Sequence, residues 1–240
     1  MPLPVDLEGE TWYLENLLRE TIGHVMKQAQ RSDPKIDLNP ESLIKKSTVV
    51  YGVMAAGGLA AMAFFHDSIS TAFLWPSAPM EMGRLIASGL TAAGVLLVLS
   101  YFFEDWFESF RELKSIIMQV LGKVSIPMAI YLSFVTSVGE ELLFRGAIQP
   151  FAGLILTSVL FGMLHMGHKG LVSAWSIWAL IAGFLLGWMY EETSSIWPPL
   201  IAHFGVNMVS ILNLRRAYNN YTTHLKAKKK LDHSSPDSKR

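Results

Sequence analysis

Between Val124 and Val138 the sequence runs fifteen residues without a charge, and it then places two carboxylates and a guanidinium within seven residues, in Gly139-Glu140-Glu141-Leu142-Leu143-Phe144-Arg145. The uncharged run is membrane-like in length and composition. A charged residue at mid-bilayer costs roughly 2.5–3.5 kcal/mol on insertion scales, so three together require a compensating arrangement. On a helix, Glu141 and Arg145 are four apart, in the favourable acid-first order, and can neutralise one another. Glu140 lies about 100° further round the helix and shares neither face nor partner with that pair. The spacing therefore commits Glu141 to structure and leaves Glu140 free.

The rest of the chain agrees with a polytopic, all-α membrane protein. Of its 240 residues 51% are hydrophobic and 17% charged, and the apolar residues come in runs too long for a soluble domain. The formal net charge is zero and no polybasic face interrupts the helices, so nucleic acid is not an expected partner. The absence of cysteine excludes thiol nucleophiles, thiolate metal ligands and disulfides.

About six spanning helices are expected, with amphipathic helices at the interface. Residues 1–46 form an amphipathic segment outside the bilayer, with Leu14, Leu17, Leu18, Ile22, Val25 and Met26 as its stripe. This segment contains no apolar run of signal-peptide type, so the first span directs insertion. Residues 47–123 supply two spans, Ser47–Phe65 and Leu85–Phe103, and an in-plane helix over 104–123. Residues 124–214 form the intramembrane core. Here a third span ends near Ala147, a turn follows Arg145, Pro150 opens a fourth span to His165, Leu171–Tyr190 is the fifth, and Pro198-Pro199 start the sixth. This register sets His165 about 12 Å deeper than Glu140. Gly183 and Gly187 have GxxxG spacing, read as internal packing. Residues 215–240 form a basic polar tail that is disordered at its end. With six spans and a cytoplasmic N-terminus, 18 of the 20 basic residues fall on the cytoplasmic side, so both termini are assigned there.

Two further polar interruptions occur in apolar helices, Phe161-Gly162-Met163-Leu164-His165 and His203-Phe204-Gly205-Val206-Asn207. Glu140, His165, His203 and Asn207 thus arrive from three helices, and intramembrane ionisable residues mark functional sites. Amide hydrolysis needs a base for water, donors for the oxyanion and an acid for the leaving amine. Glu140 suits the base and the acid, His165 the orientation of water, and His203 with Asn207 the oxyanion. The same Glu140, His165 and His203 would also offer a carboxylate and two imidazoles to a divalent metal such as zinc, although no HExxH is present. The sequence leaves these mechanisms open, and the glutamic one needs no cofactor. Glu191-Glu192 lacks an arginine at +4 and reads as a solvated helix end, and His168 as an exposed helix exit.

In their order on successive helices, Glu140-Glu141-xxx-Arg145, Phe161-xxx-His165 and His203-xxx-Asn207 resemble the three motifs of the CPBP (CAAX protease and bacteriocin-processing, or Abi) family of intramembrane proteases. That family includes the type II CAAX prenyl endopeptidases and bacteriocin-immunity proteins. The resemblance covers roughly Val124 to Leu214. It implies an intramembrane endopeptidase with Glu140 as catalytic glutamate, His165 as its partner in activating water, and His203 and Asn207 near the oxyanion. Members have been described both as metal-dependent and as glutamic proteases. The implied substrate is a protein or lipidated peptide entering from the bilayer, with CAAX processing the best-known case. The alternatives from other classes are a non-catalytic immunity or scaffold protein and a proton-coupled transporter. Oligomeric state is not legible.

Overall fold

A computed structural model describes residues 39–65, 79–166 and 173–234, and every regular element among them is helical. In chain order these are α1 (Pro40–Phe65), α2 (Pro79–Trp106), α3 (Glu108–Leu121), α4 (Ile126–Glu141), a π-helical segment (Leu142–Ile148), α5 (Gln149–Leu164), α6 (Ala174–Thr193) and α7 (Trp197–Ser234). The amphipathic segment expected over 6–31, together with His24, His66 and His168, lies outside the described residues.

Among the described residues, three helical stretches are long and apolar enough to cross a membrane: Pro40–Phe64, Met80–Trp106 and Ile126–Leu164. The last is not a single rod. His165 lies beside Glu140 with 3.9 Å between Nε2 and Oε2, whereas twenty-five residues of straight helix would separate them by about 37 Å. The chain reverses at Gly153, whose φ of 71° and ψ of 169° fall outside any helical region. This conformation is open to glycine and strained for residues with a Cβ. Gly153 stands thirteen residues after Glu140 and twelve before His165, so the two arms differ by one residue and their functional residues meet. The reversal was expected at Arg145–Pro150; instead Pro150 sits in the first turn of α5, where its missing N–H costs nothing. Moving the turn to Gly153 removes the depth mismatch between Glu140 and His165.

Neighbour contacts give the direction of every pass. Tyr51 lies against Gly139 and Gly58 against Leu142, so α1 runs parallel to α4. Arg145 and Gln149 donate to the carbonyls of Gly183 and Gly187, so α6 also runs with α4. Ser173 caps α6 by accepting from the Ser176 N–H, with the reciprocal bond completing a capping box. Gly89 meets Pro198 and Ile201, and Gly205 meets Ala93, so α2 and α7 share the other direction, with α5. Six helical passes therefore alternate, counting the hairpin as two. Apolar side chains such as Val49, Val53 and Phe64 stand on the outer surface, as lipid contact allows, while Glu141 and Arg145 are fully buried.

Two elements differ from expectation. The region 104–123 is split at Phe107, which is extended; Arg111 donates to the carbonyls of Glu104 and Asp105 at the end of α2, and α3 turns its apolar face under the bundle. The basic tail is not irregular after Leu214, since α7 continues to Ser234. Tyr218 packs on Gly122, and Arg215 donates to the Val124 carbonyl at 3.1 Å, fastening the start of this extension to the loop before α4.

Candidate active site

Ser125 caps α4, and Pro127 occupies its first turn. The helix then delivers Glu140 and Glu141 at its C-terminal end, where it widens into the π segment. Single wide turns of this kind recur at functional sites. The two carboxylates divide as their spacing required. Glu141 Oε1 accepts from Arg145 at 3.1 Å and meets His203 Nδ1 at 2.6 Å. Arg145 also donates to the Gly183 carbonyl at 2.9 Å and lies 4.9 Å from the centre of the Phe161 ring. This buried charge is thus neutralised, hydrogen-bonded and stacked, which its complete burial demands.

Glu140 is 6% exposed, and its Oε2 accepts no hydrogen bond from the described residues. That oxygen lies 3.7 Å from His203 Nε2 and 3.9 Å from His165 Nε2. Each imidazole is held from behind. His165 Nδ1 donates to the Phe161 carbonyl one turn earlier, at 2.8 Å, which turns Nε2 toward Glu140. His203 is held by Glu141, and Phe161 sits between the histidines as a stacking surface, with ring-centre distances of 4.5 Å to His165 and 6.1 Å to His203. Such supports fix ring orientation and tautomer. The phenylalanine of the Phe161-xxx-His165 spacing thus contacts Phe144, His165, His203 and the Arg145 guanidinium.

Asn207 lines the same cavity as Glu140, His165 and His203. Its amide nitrogen donates to Thr136 Oγ1 at 3.0 Å and Ser137 Oγ at 3.2 Å, tying α7 to α4 one turn below the carboxylates. The expected oxyanion donor has its N–H groups engaged in this brace. Among the described residues, no group of three His, Asp or Glu side chains is arranged to hold a metal ion, and no step is routed through a metal. Glu191 and Glu192 stand in the last turn of α6, accepting from Gln149 and Trp188 Nε1.

A cavity of about 540 Å³ begins at Glu140, His165 and His203. It follows α7 past Val206, Ser210 and Asn213 to the end of the bundle that carries α3, where the Glu104–Lys114 ion pair lines it. Its walls are mostly apolar, with Trp175 and Trp178 stacked at 5.2 Å. A second cavity, of about 390 Å³, meets Glu140 and His165 from the side of α1. Both cavities are lined by Tyr51 together with Glu140. Sequence reasoning missed Tyr51, since α1 carries no motif; a lone tyrosine in an otherwise apolar span was the available signal.

Comparison with known proteins follows the same residues. The segment 122–209 matches the family model described as type II CAAX prenyl endopeptidase Rce1-like. All three motifs lie inside it, so the resemblance to the CPBP family holds across the segment as a whole. The chain is 29% identical over 193 residues to "Uncharacterized protein YpbD" of Bacillus subtilis, covering 79% of this chain and 97% of that one. It is 32% identical over 165 residues to "Putative membrane peptidase YdiL" of the same organism, covering 65% of this chain and 62% of the relative. No solved structure matches the chain.

Proposed function

We propose that this chain, whose residues 122–209 match the type II CAAX prenyl endopeptidase Rce1-like model, is an intramembrane endopeptidase that hydrolyses a protein or lipidated-peptide substrate with a glutamate-activated water. One observation carries the reading. A buried carboxylate oxygen without a hydrogen-bond partner faces two imidazole nitrogens whose opposite nitrogens are already engaged, at the wall of a cavity.

In this mechanism Glu140 takes a proton from water, and the oxygen of that water attacks the scissile carbonyl carbon. His165, with its proton on Nδ1, offers the Nε2 lone pair to the water's second hydrogen and fixes its direction. His203, doubly protonated between Glu140 and Glu141, donates from Nε2 to the carbonyl oxygen as it becomes an oxyanion. The C–N bond then breaks as Glu140 returns its proton to the leaving nitrogen. Glu141 and Arg145 hold His203 and take no proton. Asn207 acts through Thr136 and Ser137 by keeping α7 in register with α4.

The cavity runs from Glu140 to the bundle end bearing α3 and the basic extension of α7, the side that the distribution of basic residues assigns to the cytoplasm. Substrate reaches the carboxylate from that side.

The test compares protein termini by mass spectrometry in source cells expressing either the native chain or Glu140→Gln at equal abundance. A terminus lost in the variant, with its uncleaved precursor accumulating, supports proteolysis and identifies the substrate. Identical profiles, alongside a phenotype on deleting the whole chain, would overturn the reading in favour of a binding role.

A further inference from the structure

We infer that Tyr51 is a positioning residue for Glu140: its phenolic hydroxyl donates to the carboxylate and presents the second oxygen to the two histidines. The inference deepens the proteolytic reading and rests on it for its functional half. Three observations carry it. Tyr51 stands on α1 with its side chain close enough to interact with the Glu140 carboxylate. It lines both cavities that Glu140 also lines. Its backbone is pressed against α4 immediately before Glu140, because a Cβ at Gly139 would come within 2.7 Å of the Tyr51 carbonyl oxygen and 2.9 Å of its Cβ. Only a glycine at 139 lets the helices approach so closely, and Gly58 against the Leu142 backbone fixes the same crossing about two turns further along α1.

Tyr51 supplies what the matched segment lacks. Among residues 122–209, Arg145 and His203 Nδ1 are committed to Glu141 and His165 Nδ1 to Phe161, and the two imidazole Nε2 atoms that face Glu140 stand beyond hydrogen-bond distance, at 3.7 and 3.9 Å. Nothing in that set orients the Glu140 carboxyl plane. A carboxylate rotates freely about its terminal torsion unless a donor fixes it, and a general base misdirected by a fraction of an ångström loses turnover. A tyrosine on α1 provides that donor from outside the region where the family motifs lie, so α1 becomes part of the active site as well as a packing element.

The experiment uses the full chain in detergent and needs no substrate. Infrared difference spectra between the native protein and Glu140→Gln isolate the Glu140 carboxyl bands. Tyr51→Phe keeps the ring and should shift those bands, and 3-fluorotyrosine at position 51, a stronger donor that preserves the packing, should shift them the opposite way. Bands unmoved by both replacements would overturn the inference, and the fluorinated protein decides it alone if Tyr51→Phe does not fold. In cells, Tyr51→Phe should lower the ratio of cleaved product to precursor by about tenfold or more; a ratio equal to native would overturn the functional half. Native termini in Glu140→Gln cells would instead overturn the proteolytic reading, leaving the infrared result to stand separately.

Discussion

His203 Nδ1 and Glu141 Oε1 lie 2.6 Å apart, joining α7 to α4 through a carboxylate that also holds Arg145. One carboxylate therefore organises two cationic or ionisable groups, while its neighbour Glu140 faces His203 Nε2 at 3.7 Å with an Oε2 that accepts no hydrogen bond among the described residues. The adjacent acids differ in what their loss does to the fold. Glu141→Ala leaves Arg145 buried without its counter-ion, a defect of about 3–5 kcal/mol, and should lower the unfolding temperature and yield of the purified protein sharply. Glu140→Gln should unfold within a degree or two of the native protein, since it removes no hydrogen bond from its Oε2. Thermal unfolding in one detergent compares them; equal destabilisation would contradict the division of roles.

The two histidines should be separable by rescue. His165→Ala and His203→Ala each lose about 10²–10⁴ of turnover if both act on the reacting groups. His203→Ala also removes the shorter of the two contacts to the buried Glu141 Oε1, leaving only Arg145 on it, so it should lose stability as well, whereas His165→Ala, which breaks a single bond to the Phe161 carbonyl, should not. Turnover and unfolding measured on the same preparations check this.

Asn207 acts as a brace, and a brace can be cut from either end. Asn207→Ala and the double variant Thr136→Val with Ser137→Ala should reduce turnover to the same degree, because both sever the link between α7 and α4. A direct oxyanion donor predicts loss only in Asn207→Ala. Initial rates of the three proteins decide between them.

The reversal at Gly153 makes a prediction about backbone alone. A Cβ there meets no atom within 4 Å, so Gly153→Ala tests only the cost of φ at 71° with ψ at 169°, about 1–3 kcal/mol. It should lower the unfolding temperature modestly and reduce activity by shifting His165 relative to Glu140. Gly57→Ala, also without a neighbour within 4 Å but on an ordinary helix, should have no such effect.

These particulars mark how far the sequence could be read. The spans were legible because an uncharged run of that length has few other solutions, and the Glu141–Arg145 pair because i,i+4 spacing sets it. The convergence of Glu140, His165 and His203 was legible as three polar interruptions of apolar helices. The hairpin was displaced, because Pro150 is the stronger punctuation mark on paper, while a positive φ at Gly153 leaves no trace that distinguishes it from the chain's other glycines. The bonds from Asn207 to Thr136 and Ser137 were not legible, since these look like ordinary small residues within a span. The helix beyond Leu214 went unread because its polarity resembles a solvated tail, whereas its first turn is fastened by Arg215 and Tyr218.

The central claim is that Glu140 performs the chemistry and does little else. The most direct measurement reconstitutes purified native protein and Glu140→Gln in liposomes with the precursor found by terminus comparison, and follows both binding and cleavage. The account predicts that the variant binds the precursor as the native protein does and cleaves it at least about 10²-fold more slowly. Cleavage by Glu140→Gln at the native rate would contradict it.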